Sequence, residues 1–144
     1  MTARTIKEII AGQELVAATS TTLVIDAAKI MKEHRVGAML VVDNRKLVGI
    51  FTERDALFRV VAEGLDPNKT KLAAVMTKDV KTISPEKPFA DALHMMAEGK
   101  FRHVPVVDGT RAVGMVSARD AMGPELETFM YSLIVDQQMR DVLA

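Results

Sequence analysis

The chain has 144 residues and no cysteine, and Lys plus Arg equals Asp plus Glu at 19 each. This length suits one compact domain or two small ones sharing a core, and the lack of cysteine excludes disulfides and thiolate metal sites. Balanced charge, few aromatic residues and no basic stretch argue against nucleic-acid binding. No apolar run has the length of a membrane span, and the apolar part of the first ten residues is too short for a signal peptide. We therefore expect a cytoplasmic protein that contacts neither membrane nor nucleic acid.

The chain contains an internal repeat. When the sequence is shifted by 65 residues, positions 17–57 fall on 82–122 without a gap, and twelve of the 41 pairs are identical. The identities include both apolar and polar positions, from Asp26 over Asp91 to Asp55 over Asp120. A solenoid usually needs three or more copies of a shorter unit. Two copies instead indicate a pseudo-twofold pair in which each copy buries one face against the other.

The first copy predicts a short strand, a helix, a hairpin and a second helix. An extended segment, Val16–Ala18, precedes a helix with apolar residues at i, i+3, i+4 and i+7. The predicted buried stripe of that helix consists of Val24, Ala27, Ala28 and Met31. Two apolar runs, Met39–Val42 and Leu47–Phe51, flank a turn and predict a β-hairpin. The second helix is expected to begin at Thr52.

The second copy repeats this order. Val80–Ile83 is its extended segment, and its hairpin strands are Val104–Val107 and Ala112–Val116. The first helix of this copy has the corresponding stripe of Phe89, Ala92, Leu93 and Met96. Ser117 is expected to begin the second helix. Each copy therefore reads β-α-β-β-α, an α/β arrangement.

The remaining segments connect the copies and end the chain. Residues 64–70 contain Gly and Pro and predict a linker, followed by a helical start at Leu72–Met76. Pro124 suits the first turn of a last helix over about residues 125–143. The apolar stripe of that helix is Leu126, Phe129, Met130, Leu133 and Ile134. It could pack across a homodimer or on its own domain, and the sequence favours neither. We divide the chain into residues 1–66 (first repeat with an N-terminal helix), 67–123 (second repeat) and 124–144 (C-terminal helix).

A Gly-h-h-[Ser/Thr]-x-x-Asp motif, where h is apolar, occurs at the end of both hairpins. It spans Gly49–Asp55 in the first copy and Gly114–Asp120 in the second. One interpretation is structural, because a hydroxyl at the N-cap and a carboxylate three residues later form a capping box. The other is a nucleotide site, in which the hydroxyl and free N–H groups bind phosphate and the carboxylate accepts the hydroxyls of a ribose.

The doubled motif and its surroundings resemble the CBS domain, a family named after cystathionine β-synthase. The runs that carry the resemblance are DAAKIMKEHRVGAMLVVDNRKLVGIFTERD and DALHMMAEGKFRHVPVVDGTRAVGMVSARD. The resemblance covers nearly the whole chain apart from the terminal helices. It implies tandem β-α-β-β-α repeats packed with pseudo-twofold symmetry, plus a C-terminal helix. It also implies a cleft between the copies that binds adenosyl ligands such as AMP, ADP, ATP, S-adenosylmethionine or NAD(H), in modules that commonly dimerise.

The resemblance assigns ligand contacts to positions of this chain. The hydroxyl and carboxylate that hold phosphate and ribose correspond to Thr52 with Asp55 and to Ser117 with Asp120. The extended segment of the other copy offers groups to adenine, at Val16, Ala17 and Ala18 for one cleft and at Lys81, Thr82 and Ile83 for the other. The apolar walls correspond to Val36, Ile50, Phe101 and Met115.

Basic residues just before the first hairpin strand often face the phosphate in this family. The second copy has Arg102-His103 at these positions, whereas the first copy has Gly37-Ala38. We therefore expect Arg102 and His103 to flank only the Asp120 cleft, and ligands with more phosphate to prefer that cleft. The Asp55 cleft is then expected to suit adenosine rather than phosphate.

Together these features predict a non-catalytic regulatory module for signal transduction. It would sense an adenine nucleotide, act as a homodimer and pass the signal to a separate, unidentified effector protein. No Ser-His-Asp set or carboxylate pair forms a recognisable catalytic group, and we expect no metal and no catalytic cofactor. The alternative is a ligand-independent oligomerisation module whose capping boxes are purely structural.

Overall fold

Two hairpins joined edge to edge form the sheet of this protein. The structure is a computed structural model that describes residues 4–121 and 123–143, with the backbone alone described over residues 123–130. The five strands are ordered β1-β2-β3-β5-β4 in the sheet. In chain order they are β1 (Ala17–Ala18), β2 (Ala38–Asp43), β3 (Lys46–Thr52), β4 (His103–Asp108) and β5 (Arg111–Ser117). This mixed α/β architecture confirms the predicted fold class.

Over the residues that the structure describes, six α-helices and two other helical segments accompany the sheet. The α-helices are α1 (Ile6–Ile10), α2 (Val24–His34), α3 (Glu53–Asp55), α4 (Leu72–Val75), α5 (Phe89–Gly99) and α6 (Gly123–Leu143). A π-helical segment, Ala56–Val61, continues α3. In the second copy a 3₁₀ helix, Ala118–Ala121, follows Ser117, where the first copy has α3 after Thr52. Helices α4 and α6 confirm the predicted linker helix and terminal helix.

The two hairpins repeat each other residue for residue. Ala38 pairs with Thr52 in the first, and His103 pairs with Ser117 in the second, each 65 positions later. Both hairpins have a bulge at the same place, which leaves Val48 and its counterpart without a direct partner. A bulge increases the local twist of a strand pair. The repeat seen in the sequence is therefore a repeat of backbone register.

Helices α2 and α5 bury the predicted stripes against their own hairpins. The fully buried positions are Val24, Ala27 and Met31 in α2 and Phe89, Ala92 and Met96 in α5. Leu93 is half-buried, but Ala28 is exposed, so the prediction for Ala28 was wrong. Ala28 and Leu93 occupy equivalent positions at the edge of the stripe. The longer Leu93 side chain reaches the core from this position, whereas the methyl group of Ala28 does not.

Two hydrophobic cores lie under the two hairpins, and each receives a segment from outside its own repeat. The linker helix α4 buries Leu72 and Val75 in the first core. Helix α1 buries Ile6 in the second core instead of the first. Matching backbone hydrogen bonds of 2.9 Å hold these segments, from Ile6 N to Lys87 O and from Leu72 N to Thr22 O. The N-terminal segment thus ties the first repeat to the second.

The extended segment before each first helix differs between the copies. Strand β1 pairs in parallel with β2, and Leu40 N donates a 3.1 Å hydrogen bond to Val16 O. In the second copy the equivalent segment makes one bridge, between Ile83 and Val106, and is not a strand. Pro105 stands where the first copy has Leu40, and proline has no N–H to donate. The predicted extended segment is therefore reduced to that bridge.

The terminal helix α6 presents apolar side chains to solvent. Leu133 and Ile134 are 47% and 54% exposed, so these two do not pack on the protein's own domain. The other predicted members of this stripe, Leu126, Phe129 and Met130, lie outside the residues whose side chains are described.

Candidate functional site

The first motif forms a complete capping box. Thr52 Oγ1 accepts a hydrogen bond from Asp55 N at 3.1 Å, and Thr52 N donates to Asp55 Oδ2 at 3.0 Å. These reciprocal bonds satisfy two backbone N–H groups at the start of α3. The structural interpretation of the motif is therefore correct for the first copy.

The carboxylate of Asp55 is occupied by the protein itself. It is buried, with only 6% of the residue exposed. Thr77 Oγ1 donates to Asp55 Oδ1 at 3.2 Å, and Arg59 Nε lies 3.5 Å from the same oxygen. Because Oδ2 binds Thr52 N, both oxygens have donors from the chain. In this conformation a ribose would have to displace one of them.

The carboxylate of Asp120 is partly open. Ser117 N donates to Asp120 Oδ2 at 2.8 Å, and Ser117 Oγ lies 3.4 Å from the same oxygen. Asp120 Oδ1 accepts no hydrogen bond from the side chains and backbone that the structure describes. The residue is half-buried at the wall of a cavity. A carboxylate oxygen in this position can accept a hydrogen bond from a ligand hydroxyl.

Each motif lines its own cavity. The Asp55 cavity has a volume of about 500 Å³ and the Asp120 cavity about 780 Å³. Of the predicted site residues, the Asp55 cavity is lined by Ile50, Thr52, Asp55, Lys81 and Phe101. The Asp120 cavity is lined by Val16, Val36, Ala38, Met115, Ser117 and Asp120. Each cavity therefore combines a motif from one copy with the extended segment of the other, as the resemblance implies.

Four of the predicted residues line neither of these cavities. Ala17 and Ala18 are paired with β2, and Ile83 is buried in the second core. Thr82 lines a separate cavity of about 190 Å³ between the two hairpin turns. Within the two extended segments, Val16 lines the Asp120 cavity, and Val80 and Lys81 line the Asp55 cavity.

Arg102 and His103 line both cavities, so the prediction that they flank only the Asp120 cleft was wrong. Gly37 and Glu53 also belong to both linings. Glu53 of the first motif and Asp120 of the second both act on the pKa of His103. The sequence identified the basic pair but not that it faces both cavities.

The two cavities differ in charge. The Asp55 cavity has five Lys and Arg side chains against three Asp and Glu: Arg54, Arg59, Lys81, Lys100 and Arg102 against Glu53, Asp55 and Asp79. The Asp120 cavity has three of each: Arg35, Arg102 and Arg119 against Glu14, Glu53 and Asp120. The more cationic cavity is therefore the one that we expected to be the poorer phosphate site.

His103 belongs to the linings of both cavities and is influenced by charged side chains of each. Burial lowers the pKa of His103 below its usual 6.5, and the Arg102 guanidinium acts in the same direction. Glu53 and Asp120 partly oppose this shift. The imidazole is therefore neutral near pH 7 and offers one donor and one acceptor to the shared wall.

Several residues of the site were not identified from the sequence. Gln13 precedes the repeated segment and lies outside the motif, and Thr77 follows the linker helix α4. Glu53 occupies one of the undefined (x) positions of the motif, and only its charge could have indicated that it belongs to the site. No group of three or more metal-ligating side chains occurs in the described part of the chain. Among the same residues, no helix combines the length and the apolar character that crossing a membrane requires.

The sequence profile of the CBS domain matches residues 6–62 and 72–123. Among curated relatives, the CBS domain-containing protein CBSX3, mitochondrial, of Arabidopsis thaliana is 37% identical over 109 residues. That match covers 72% of this chain and 53% of the relative. The CBS domain-containing protein YhcV of Bacillus subtilis is 37% identical over 95 residues, which cover 66% of this chain and 67% of YhcV. The chain thus spans about half the length of the first of these relatives.

Solved structures of CBS-domain proteins have the same fold. A protein with CBS domains from Burkholderia ambifaria superposes with a TM-score of 0.76 at 32% identity, covering 93% of this chain and 96% of that one. The CBS domain pair of MJ0100, solved with 5′-methylthioadenosine and S-adenosyl-L-methionine, superposes with a TM-score of 0.74 at 30% identity. That match covers 83% of this chain and 94% of MJ0100. With two repeats, two motif cavities and these relatives, the chain belongs to the CBS-domain family.

Proposed function

We propose that this chain is a non-catalytic regulatory module that binds an adenosine-containing ligand in the Asp120 cavity. The observation that carries the proposal is an Asp120 carboxylate oxygen that no described residue engages, in a cavity of about 780 Å³. One carboxylate can accept hydrogen bonds from both hydroxyls of a ribose diol. CBS domains are generally regulatory and ligand-binding modules. The geometry of the Asp120 cavity supports it as the ligand-binding site of this chain.

The other walls of the Asp120 cavity suit an adenosine. Val16, Val36 and Met115 provide apolar surface for the base, and Ser117 places its hydroxyl beside the carboxylate. Apolar walls with a few convergent polar groups are typical of small-molecule sites. The MJ0100 structure supports the same ligand class, because both of its bound molecules contain adenosine. For this chain the candidates remain AMP, ADP, ATP and NAD or NADH, besides S-adenosylmethionine.

The structure of the surface supports a homodimer as the signalling unit. Leu57, Phe58 and Val61 on the segment after α3 are 54%, 56% and 67% exposed. Leu133 and Ile134 of α6 are exposed as well, and exposed apolar patches often mark protein–protein interfaces. A cyanobacterial CBS-CP12 protein, similar in fold, is hexameric. We propose that ligand binding changes the shape of a homodimer and that a separate effector protein recognises this change.

We also propose that the module works in the cytoplasm and has no catalytic activity of its own. The absence of cysteine fits a reducing compartment. The Arabidopsis relative is named as mitochondrial, so cytoplasmic residence stays a prediction for this chain.

Isothermal titration calorimetry tests the proposed ligand class. The full chain would be titrated with AMP, ATP, NAD, S-adenosylmethionine and adenosine, with GMP and guanosine as controls for the base. We expect at least one adenosine-containing ligand to bind, and its guanine analogue to bind more weakly. Absence of binding by all adenosine ligands would contradict the proposal.

The second candidate function is a ligand-independent oligomerisation module. The complete capping box and saturated carboxylate at Asp55 favour it, because that motif copy is fully explained by its structural role. Under this alternative the chain would self-associate identically with and without adenosine ligands. Sedimentation in the presence and absence of the ligand identified by calorimetry separates the two functions.

A further inference from the structure

We propose that the Asp55 cavity is an anion site that binds a condensed phosphate chain and recognises the phosphates rather than a nucleoside. The proposal goes beyond the function assigned to the Asp120 cavity and does not require adenosine to bind there. It concerns the chemistry of the second cavity, which differs from that of the first in both charge and free hydrogen-bonding groups.

The cationic groups of the Asp55 cavity come from separate segments that converge on one space. Arg59 is already paired with Asp55, at 3.5 Å between Nε and Oδ1. Four cations remain in the lining, Arg54, Lys81, Lys100 and Arg102, against the carboxylates Glu53 and Asp79. A cavity with an excess of positive charge concentrates a multivalent anion more strongly than a monovalent one.

Part of the charge of this cavity arises where the two repeats differ. Lys81 and Arg102 occupy positions at which the first copy has Val16 and Gly37, each 65 residues earlier. Val16 lines the Asp120 cavity, whereas Gly37 and Arg102 belong to the linings of both cavities. Lys81 is therefore a cation of the Asp55 cavity alone, at a position where the first copy has an apolar residue.

The same cavity lacks a free group for a ribose. The buried Asp55 carboxylate already binds Thr52 N and Thr77 Oγ1 and pairs with Arg59. A ribose diol would have to displace one of these donors, and a polar group that loses its partner beside a buried carboxylate costs free energy. Phosphate oxygens need only the cationic side chains, which are exposed at the wall and free to turn toward an anion.

A condensed phosphate could come from two sources. It could be a free inorganic chain, or the triphosphate of a nucleotide whose adenosine lies in the Asp120 cavity. The second source is sterically plausible because Gly37, Glu53, Arg102 and His103 line both cavities. The recognised chemistry is the same for both sources.

The test is calorimetric titration of the full chain with inorganic tripolyphosphate at low salt. We expect binding that weakens as salt rises, because contacts between exposed charges are screened. Lys81→Val and Lys100→Ala should each weaken binding by about three- to tenfold. Arg35→Ala is the matched control, since Arg35 is the counterpart of Lys100 in the Asp120 cavity. It should leave tripolyphosphate binding unchanged.

ATP and adenosine, titrated in parallel, distinguish the sources. If ATP binds more tightly than tripolyphosphate and Asp120→Asn removes the difference, the phosphate chain is the tail of a nucleotide that spans both cavities. Equal affinity for both ligands identifies a free condensed phosphate. Failure of tripolyphosphate to bind, or an equal loss in Arg35→Ala and Lys100→Ala, would overturn the inference. Adenosine binding in the same experiment would leave the function of the Asp120 cavity intact.

Discussion

The side-chain amide of Gln13 holds the backbone of Met115 through both of its polar groups. Gln13 Nε2 donates to Met115 O at 2.8 Å, and Met115 N donates to Gln13 Oε1 at 2.9 Å. In the first copy the backbone of Thr77 makes the same two bonds with Ile50, at 2.9 Å each. Because Ile50 and Met115 are 65 residues apart, one side chain replaces a backbone bridge. One wall of the Asp120 cavity thus depends on Gln13.

We therefore predict that Gln13→Glu destabilises the fold and weakens ligand binding in the Asp120 cavity. A carboxylate still accepts from Met115 N but cannot donate to Met115 O, and two acceptors then face each other. The loss should be about 1–3 kcal/mol in the free energy of unfolding, measured by urea denaturation. Glu14→Gln, one residue along the same exposed segment, should change stability far less. If Gln13→Glu had the same free energy of unfolding as wild type, the two hydrogen bonds between Gln13 and Met115 would not stabilise the fold.

The two motif glycines should respond differently to alanine. A Cβ on Gly49 would lie 2.8 Å from the backbone oxygen of Thr77, whereas one on Gly114 would meet side-chain atoms of Ile10 and Gln13 at 3.0 and 3.1 Å. Backbone cannot move aside as easily as side-chain ends. Gly49→Ala should cost about 1–3 kcal/mol of unfolding free energy, and Gly114→Ala less. Equal losses in chemical denaturation would contradict this account of the hairpin contacts.

The two histidines His34 and His103 should have opposite effects on the pH dependence of stability. Burial lowers the pKa of His103 below 6.5, so the unfolded chain takes up its proton first. Stability from this group is lost as pH falls through about 6.5. The carbonyl of Ile30 raises the pKa of His34, with a further contribution from Glu14. Stability from His34 is therefore present at low pH and lost as pH rises through its folded pKa.

Unfolding free energies of wild type, His103→Gln and His34→Gln between about pH 5 and pH 8 test these signs. Relative to wild type, His103→Gln should lose less stability on acidification, and His34→Gln should lose more. A change of slope in the same direction for both variants would be inconsistent with the environments of these side chains.

Self-association should depend on the exposed apolar side chains of two helical segments. Leu57→Ser with Val61→Ser changes the segment after α3, and Leu133→Ser with Ile134→Ser changes α6. Sedimentation at several concentrations should show a wild-type homodimer that is weakened by one or both double variants. The variant with the larger effect locates the interface, since all four residues are exposed in the monomer. A wild-type chain that remains monomeric at high concentration would refute the homodimer.

The internal repeat made most of the fold predictable. The offset of 65 residues carried over to strand register, to the bulges and to the buried faces of α2 and α5. Prediction failed where one copy has a residue with different chemistry. Pro105 lacks the N–H that Leu40 donates, so the second extended segment is not a strand.

The site was predictable in composition but not in geometry. Both motifs line cavities with the expected partner segments, yet Arg102 and His103 line both cavities instead of one. The donors that occupy the Asp55 carboxylate include Thr77 and Arg59, which lie outside the defining motif positions. Comparison of the repeats could not identify Gln13, because in the first copy the backbone of Thr77 makes the equivalent two hydrogen bonds.

The most direct measurement compares the affinity of the tightest adenosine ligand for wild type, Asp120→Asn and Asp55→Asn by calorimetry. A hydrogen bond to a charged group contributes about 1.5–3 kcal/mol, so Asp120→Asn should weaken binding about ten- to a hundredfold. Asp55→Asn should mainly lower stability, because its carboxylate is already bound by Thr52, Thr77 and Arg59. Unchanged ligand affinity in a folded Asp120→Asn variant would contradict the assignment of the ligand to the Asp120 cavity.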